Sequence, residues 1–298
     1  MIETIKLNGK GKPIIALPRL SPSSINSWNK CPREFYYNYI LKAKVVPNIH
    51  LIKGSLVHQV LENFFKEYHT DGKNWLLNEF VTEWVKQKLP IAQLEMPEDE
   101  LLVHKKDAFR MIMDYYTVHT RKLTALIEFG KAESERHAFF LLKPKFRELW
   151  VESSELKCAG YIDRVDVDYN DIMTLGDYKT SSKFGIGLSE DYKRQLSIYA
   201  LLYEEVKGRL PDFVSIIFLR YGEEFLLEVT PSLLKYARDS IQHVWNNTRS
   251  TALIDYPRKE GKLCRWCSFR PLCSGKAKAD EKKRKEEIKK AIVGETHE

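Results

Sequence analysis

Apolar and polar positions change period along this chain, and each change marks a predicted element. Pro13 and Pro18 break the first twenty residues into a short extended lead-in. Ser21, Ser23 and Ser24 then offer capping oxygens ahead of a helix over 25–41, with the Cys31-Pro32 step as a kink or as the start of its main segment. Val57, Val60, Leu61, Phe64 and Tyr68 recur at helical spacing, so a second helix starts at Gly54-Ser55 and runs to about Tyr68. Residues 74–129 keep that period in two segments, 75–89 and 98–129, broken around Pro90 and Pro97. From Lys131 the period moves towards two, which predicts strands over 137–142, 149–151, 156–167 and 172–180. Ser189 caps a helix to about Glu205. Strands over 213–220 and 225–229 flank Tyr221-Gly222-Glu223-Glu224, and Pro231 opens a helix to about Thr248. A loop with Pro257 and Gly261 follows, then a group of cysteines. Residues 275–298 read as a charge-rich tail, a frayed helix or a disordered segment.

The strands over 156–167 and 172–180 meet at the polar turn Asp168-Tyr169-Asn170-Asp171. Side chains alternate along a strand, so Asp163, Val165 and Val167 share one face, as do Met173, Leu175, Asp177 and Lys179. A hairpin centred near Asn170 sets Asp163 opposite Asp177. Two carboxylates on a buried face repel, and burial penalises both. A divalent cation between them removes that penalty, and carboxylate oxygens suit hard Mg²⁺ or Mn²⁺. The competing reading is a surface hairpin whose charges are simply solvated.

Composition narrows the setting. The 298 residues suffice for one large or two modest domains, and 43% hydrophobic content supports a sizeable core. No apolar run reaches membrane-spanning length and no secretory leader is evident, so a soluble cytoplasmic protein is expected. A net charge of +7 suits a polyanionic partner, although part of the excess sits in the tail. Cys264, Cys267 and Cys273 form a C-x₂-C-x₅-C set, which in an intracellular chain points to metal ligation. By spacing alone Zn²⁺ and an iron–sulfur cluster fit equally well. Cys158, inside a strand, reads as a small buried residue. His58 and Glu62 lie four apart on the edge of an apolar stripe, where a histidine is most often structural.

Four short motifs in order carry a resemblance: His58, Gly160-Tyr161-Ile162-Asp163, Asp177-Tyr178-Lys179 and Gln195-Leu196-Ser197-Ile198-Tyr199. Together with the cysteines they resemble the PD-(D/E)XK nuclease superfamily, in its RecB-like branch with iron–sulfur exonucleases and AddB-type nuclease domains. The resemblance spans about 21–273. Gly176 stands where many members carry proline. The resemblance implies an α/β, restriction-endonuclease-like fold: a mixed central sheet flanked by helices, a helical N-terminal insertion region and a C-terminal cysteine cluster. The implied domain is 21–274, with a helical portion over about 55–130 and a sheet core over about 131–230.

The resemblance also implies roles. His58, Asp163, Asp177 and the Tyr178 carbonyl would hold Mg²⁺ or Mn²⁺, and Lys179 would orient or deprotonate the attacking water. Gln195 and Tyr199 would position Lys179 or the DNA backbone, with Glu62 and Asp166 as outer partners. Asp166 lies on the other strand face from Asp163, which favours pairing with Arg164. Cys31 would join Cys264, Cys267 and Cys273 around a [4Fe–4S] cluster, with structural Zn²⁺ as the alternative. The implied activity is metal-dependent DNA cleavage on ends or single strands, in repair, recombination or CRISPR adaptation. A helicase or CRISPR adaptation proteins are the implied partners. The non-enzyme alternative is an end-binding or scaffold role within a helicase–nuclease complex. Trp28, Tyr36, Tyr37 and Trp266 could stack bases or fill the core. Residues 74–129 show no chemistry and read as packing or as a lid.

Overall fold

Ser21 begins the first helix with a reciprocal cap: its hydroxyl accepts from the Ser24 N–H at 3.1 Å, and its own N–H donates to Ser24 Oγ at 2.8 Å. The structure, a computed structural model, describes residues 6–7, 13–14, 19–43, 48–181 and 188–273; the predicted tail over 275–298 lies outside them. Two short strands, β1 (Lys6–Leu7) and β2 (Pro13–Ile14), pair antiparallel. The predicted helix over 25–41 is three pieces. These are α1 (Pro22–Lys30), α2 (Pro32–Phe35) and a π-helical turn, Tyr36–Ile40. Cys31 is extended between the first two, because Pro32 cannot donate to the preceding turn.

Helix α3 (Ile49–Phe64) starts earlier than its sequence suggests, because Asn48 caps it by accepting from the His50 N–H at 2.8 Å. It also stops short of Tyr68. Helix α4 (Gly72–Lys86) is followed by α5 (Lys88–Ala92), which contains Pro90 in its first turn, where the missing N–H costs no bond. Helix α6 (Glu98–Glu128) is the long one. The predicted strand over 137–142 is a helix, α7 (Glu135–Leu142), with Ser134 accepting from the His137 N–H. Its continuous apolar run fits either structure by pattern, and the cap decides. Strands β3 (Phe146–Ser153), β4 (Cys158–Val167) and β5 (Met173–Lys179) follow, then α8 (Glu190–Lys207), β6 (Phe213–Phe218), β7 (Glu223–Glu228), α9 (Pro231–Asn247) and α10 (Arg270–Cys273).

The chain forms two compact units. One comprises Pro47–Ser153 with Gly160–Ala237, the other Met1–Val46, Ser154–Ala159 and Arg238–Glu298. In the first, the sheet order is β3-β4-β5-β6-β7; β5 and β6 run parallel, and β5 pairs antiparallel with β4, as β7 does with β6. The parallel step requires a crossover, and α8 supplies it. A core cluster joins α3, α4, α6 and α7 to Tyr178 and Ile217 of the sheet. In the second unit Leu20 exchanges backbone bonds with Lys157 and Ala159, both 2.9 Å. There Trp28 and Tyr37 are buried core residues, Tyr37 donating to the Leu272 carbonyl at 3.0 Å. The side chain of Trp266 lies outside what the structure describes. Among the described residues, no helix is long and apolar enough to cross a membrane.

Candidate active site

The turn joining β4 to β5 fixes everything after it. Asp168 Oδ1 accepts from the N–H groups of Asn170 and Ile172 (2.8 and 2.9 Å), and Asp171 takes the left-handed conformation at φ +63°. Arg164 therefore pairs with Gly176, and Val167 with Met173. Asp163 stands one step beyond, opposite Asp177, as the hairpin's centring predicts.

Both carboxylates are buried, Asp163 at 8% exposure and Asp177 at 2%. Asp163 Oδ2 accepts from the Tyr178 N–H at 2.7 Å and lies 3.4 Å from His58 Nδ1. His58 reaches in from α3, and its Nε2 stands 3.2 Å from the Tyr178 carbonyl. Asp177 Oδ1 accepts from Gln195 Nε2 at 2.7 Å. Its Oδ2 accepts no well-aligned hydrogen bond, although the Lys179 ammonium lies 2.5 Å away. Gln195, on α8, also accepts from Lys179 at 3.0 Å and donates to the Tyr199 hydroxyl at 3.2 Å. His58, Asp163, Asp177, Tyr178, Lys179, Gln195 and Tyr199 are thus one connected group.

The electrostatics follow from crowding acids in a dry place. Burial raises the pKa of Asp177 to about 6 against the pull of Lys179, and Asp163 adds to the rise. Burial would lower His58, but the charge and hydrogen bond of Asp163, helped by Glu148 and Asp177, push it up to about 10. Asp163 is held low despite its burial, chiefly by His58. Burial opposes the charge on Lys179, and Asp177 outweighs it, so its pKa is raised.

Glu148 is the residue that sequence reasoning missed. Its Oε1 lies 3.8 Å from His58 Nδ1, and it joins His58 and Asp163 in a set of ligand atoms all within 4.8 Å of one another. Its backbone is left-handed, at φ +44°, inside strand β3. Such a conformation costs a non-glycine residue roughly 1–3 kcal/mol and re-aims its side chain. Nothing in the local pattern signals this. Glu62 does not take part: it accepts from Gln59 at 2.8 Å on α3 and lies 3.9 Å from Lys66. Asp166 pairs with Arg164, as its strand face predicts.

The other group lies in the second unit. Cys31 sits at the break between α1 and α2, and Cys267 and Cys273 pack against Tyr37, Ala43 and Phe269. Burial raises both thiol pKa values, and Cys31 is near enough to raise each further. Cys264 Sγ accepts from the Gly261 N–H at 3.4 Å. Cys158 is fully buried, and burial pushes its thiol up to about 12.

The sequence resembles known proteins. Over 226 residues, 68% of the chain, it is 29% identical to one of the subunits of the ATP-dependent helicase/deoxyribonuclease of Carboxydothermus hydrogenoformans, and the chain spans 20% of that relative's length. A crystal structure from Eubacterium rectale, of a protein provisionally designated an exonuclease, superposes with a TM-score of 0.47 at 12% identity, over 93% of this chain and 97% of that one. The sequence model of one superfamily matches residues 19–274, from just before the bridging Leu20 to just beyond Cys273. The chain accordingly belongs to the PD-(D/E)XK nuclease superfamily.

Proposed function

We propose that this chain is a metal-dependent deoxyribonuclease acting on DNA ends or single strands. The observation that carries the reading is the buried pair of carboxylates, Asp163 and Asp177, with the Lys179 ammonium 2.5 Å from Asp177 Oδ2. Three carboxylates, Asp163, Asp177 and Glu148, face one ammonium and one imidazole, so the group has an excess of negative charge to offset. An imidazole nitrogen, carboxylate oxygens and the Tyr178 carbonyl are donors that suit Mn²⁺ or Mg²⁺. The His58 proton occupies the same oxygens, so taking up a divalent cation releases it. A bound cation would lower the pKa of water and polarise a phosphate.

The chain's own residues do the rest. Gln195 holds Asp177 and Lys179 together and keeps the ammonium aimed at the carboxylate pair. Lys179 orients the attacking water and offsets charge on the phosphate as it builds. Tyr199 fixes the Gln195 amide.

For the thiol group we propose a [4Fe–4S] cluster on Cys31, Cys264, Cys267 and Cys273. Cysteine spacing alone fits Zn²⁺ equally well; the resemblance to the RecB-like branch favours the cluster, and structural Zn²⁺ is the alternative. The helicase named in the Carboxydothermus relative supports a place in a helicase–nuclease assembly for DNA repair.

The test uses single-stranded and duplex DNA labelled at the 5′ or 3′ end, in Mg²⁺, in Mn²⁺ and in EDTA. Cleavage in either metal and none in EDTA is expected, with the label pattern giving polarity. Absence of cleavage of every DNA in both metals would sink the reading.

A further inference from the structure

Asp163 and Arg164 are neighbours on β4 and point to opposite faces of the sheet. Arg164 is 11% exposed. Its Nε and Nη2 grip Asp166 as a fork, at 2.7 and 2.6 Å. Its Nη1 donates to the Tyr178 hydroxyl at 2.9 Å and to the Tyr115 hydroxyl at 2.5 Å. The guanidinium also lies over the rings of Phe65 and Tyr178, 5.5 and 5.7 Å from their centres. The side chain has room only because its cross-strand partner is Gly176. A Cβ there would stand 2.7 Å from Arg164 Cγ and 3.0 Å from Cδ.

Tyr178 is therefore held at two places. Its N–H and C=O meet Asp163 and His58, and Arg164 and Tyr115 hold its hydroxyl. The ladder between β4 and β5 ends at Arg164–Gly176, short of Asp163 and Tyr178. On the β4 side, side chains hold Tyr178 in place of backbone pairing.

We infer that Arg164 is a positioning residue for the metal site: running across Gly176, it fixes Tyr178, and with it the carbonyl and the Asp163 carboxylate that face the cation. The inference rests on the functional reading above, because those positions matter only if a divalent cation binds there. Groups that orient metal ligands change affinity or activity by roughly 10–100-fold when removed.

The test is Mn²⁺ binding to the whole chain by isothermal titration calorimetry, alongside thermal unfolding in EDTA. Tyr178→Phe keeps the ring and loses one hydroxyl; Arg164→Met removes the whole anchor. Both should bind Mn²⁺ about 10-fold or more weakly. Gly176→Ala, which displaces Arg164, should do the same. Phe80 lies in the same helical core but packs on Trp84 and Phe109, so Phe80→Leu should lower Tm and leave the affinity unchanged. If Arg164→Met does not fold, Tyr178→Phe decides. Wild-type affinity in Tyr178→Phe, or an equal loss in Phe80→Leu, overturns the inference. A wild-type protein that takes no Mn²⁺ removes the functional reading itself, and this inference with it.

Discussion

Replacing Asp177 with asparagine should stabilise the metal-free protein while destroying its metal site. The carboxylate is 2% exposed, and burial lifts its pKa to about 6 from 3.8. A folded-state pKa above the unfolded one means that the native state prefers the protonated acid. That stability is full below pH 3.8 and is lost as pH rises through about 6. At about 1.4 kcal/mol per pH unit, the ionised acid costs roughly 3 kcal/mol at pH 8. Asparagine keeps the oxygen that accepts from Gln195 and carries no charge, so it mimics the protonated acid. Asp177→Asn should therefore gain about 2–3 kcal/mol in EDTA at pH 8, or roughly 5 °C in Tm. The gain should shrink below pH 6 and vanish near pH 4. Saturating Mn²⁺ should reverse the order, raising the wild-type Tm and leaving the variant unmoved. Thermal melts from pH 4 to 8, with and without Mn²⁺, read all of this. A variant less stable than wild type at pH 8 in EDTA, or a difference flat across pH, would refute the reasoning.

Lys179→Ala should keep near-wild-type Mn²⁺ affinity by calorimetry and lose about 10²-fold or more in cleavage rate; normal cleavage with weakened metal binding would contradict that role. Glu148→Gln should lower the His58 pKa in an NMR titration, by less than Asp163→Asn does, because Asp163 is nearer (3.4 against 3.8 Å); no movement would take Glu148 out of the group. Cys31→Ala should lose iron, visible absorption and protease resistance, whereas Cys158→Ala keeps all three. A Cys31→Ala protein that retains its iron would remove Cys31 from the ligand set.

The hairpin was the most legible part of the sequence, because its chemistry depends on period and turn alone. Alternation placed Asp163 and Asp177 on inward positions, and the Asp168 turn set their register. Helix α8 was legible from Ser189, which accepts from the Tyr192 N–H. Residues 137–142 were misread because a solid apolar run has no period to consult. What makes them a helix is the cap at Ser134 and the packing of Ala138 and Phe139 in the helical core. Glu148 was invisible for a different reason: a left-handed φ in a strand is imposed by its surroundings and leaves no local mark. The space over Gly176 was hidden likewise, since only the pairing shows which side chain crosses it. Spacing exposed three cysteines, but the proposed fourth ligand, Cys31, is far away in sequence and carries no spacing signal.

That last separation has a consequence during synthesis. The unit containing the cysteines is assembled from the first and last parts of the chain, with six residues from the middle. Cys31 leaves the ribosome more than two hundred residues ahead of Cys264. At about 5–20 residues per second, the other three cysteines of the proposed cluster follow it by roughly 10–50 s. Meanwhile almost all of the unit bearing Asp163 and Asp177 has been made. On the proposed cluster, the segment around Cys31 is held only after residues more than two hundred positions later have been made, and its thiol must stay reduced until then.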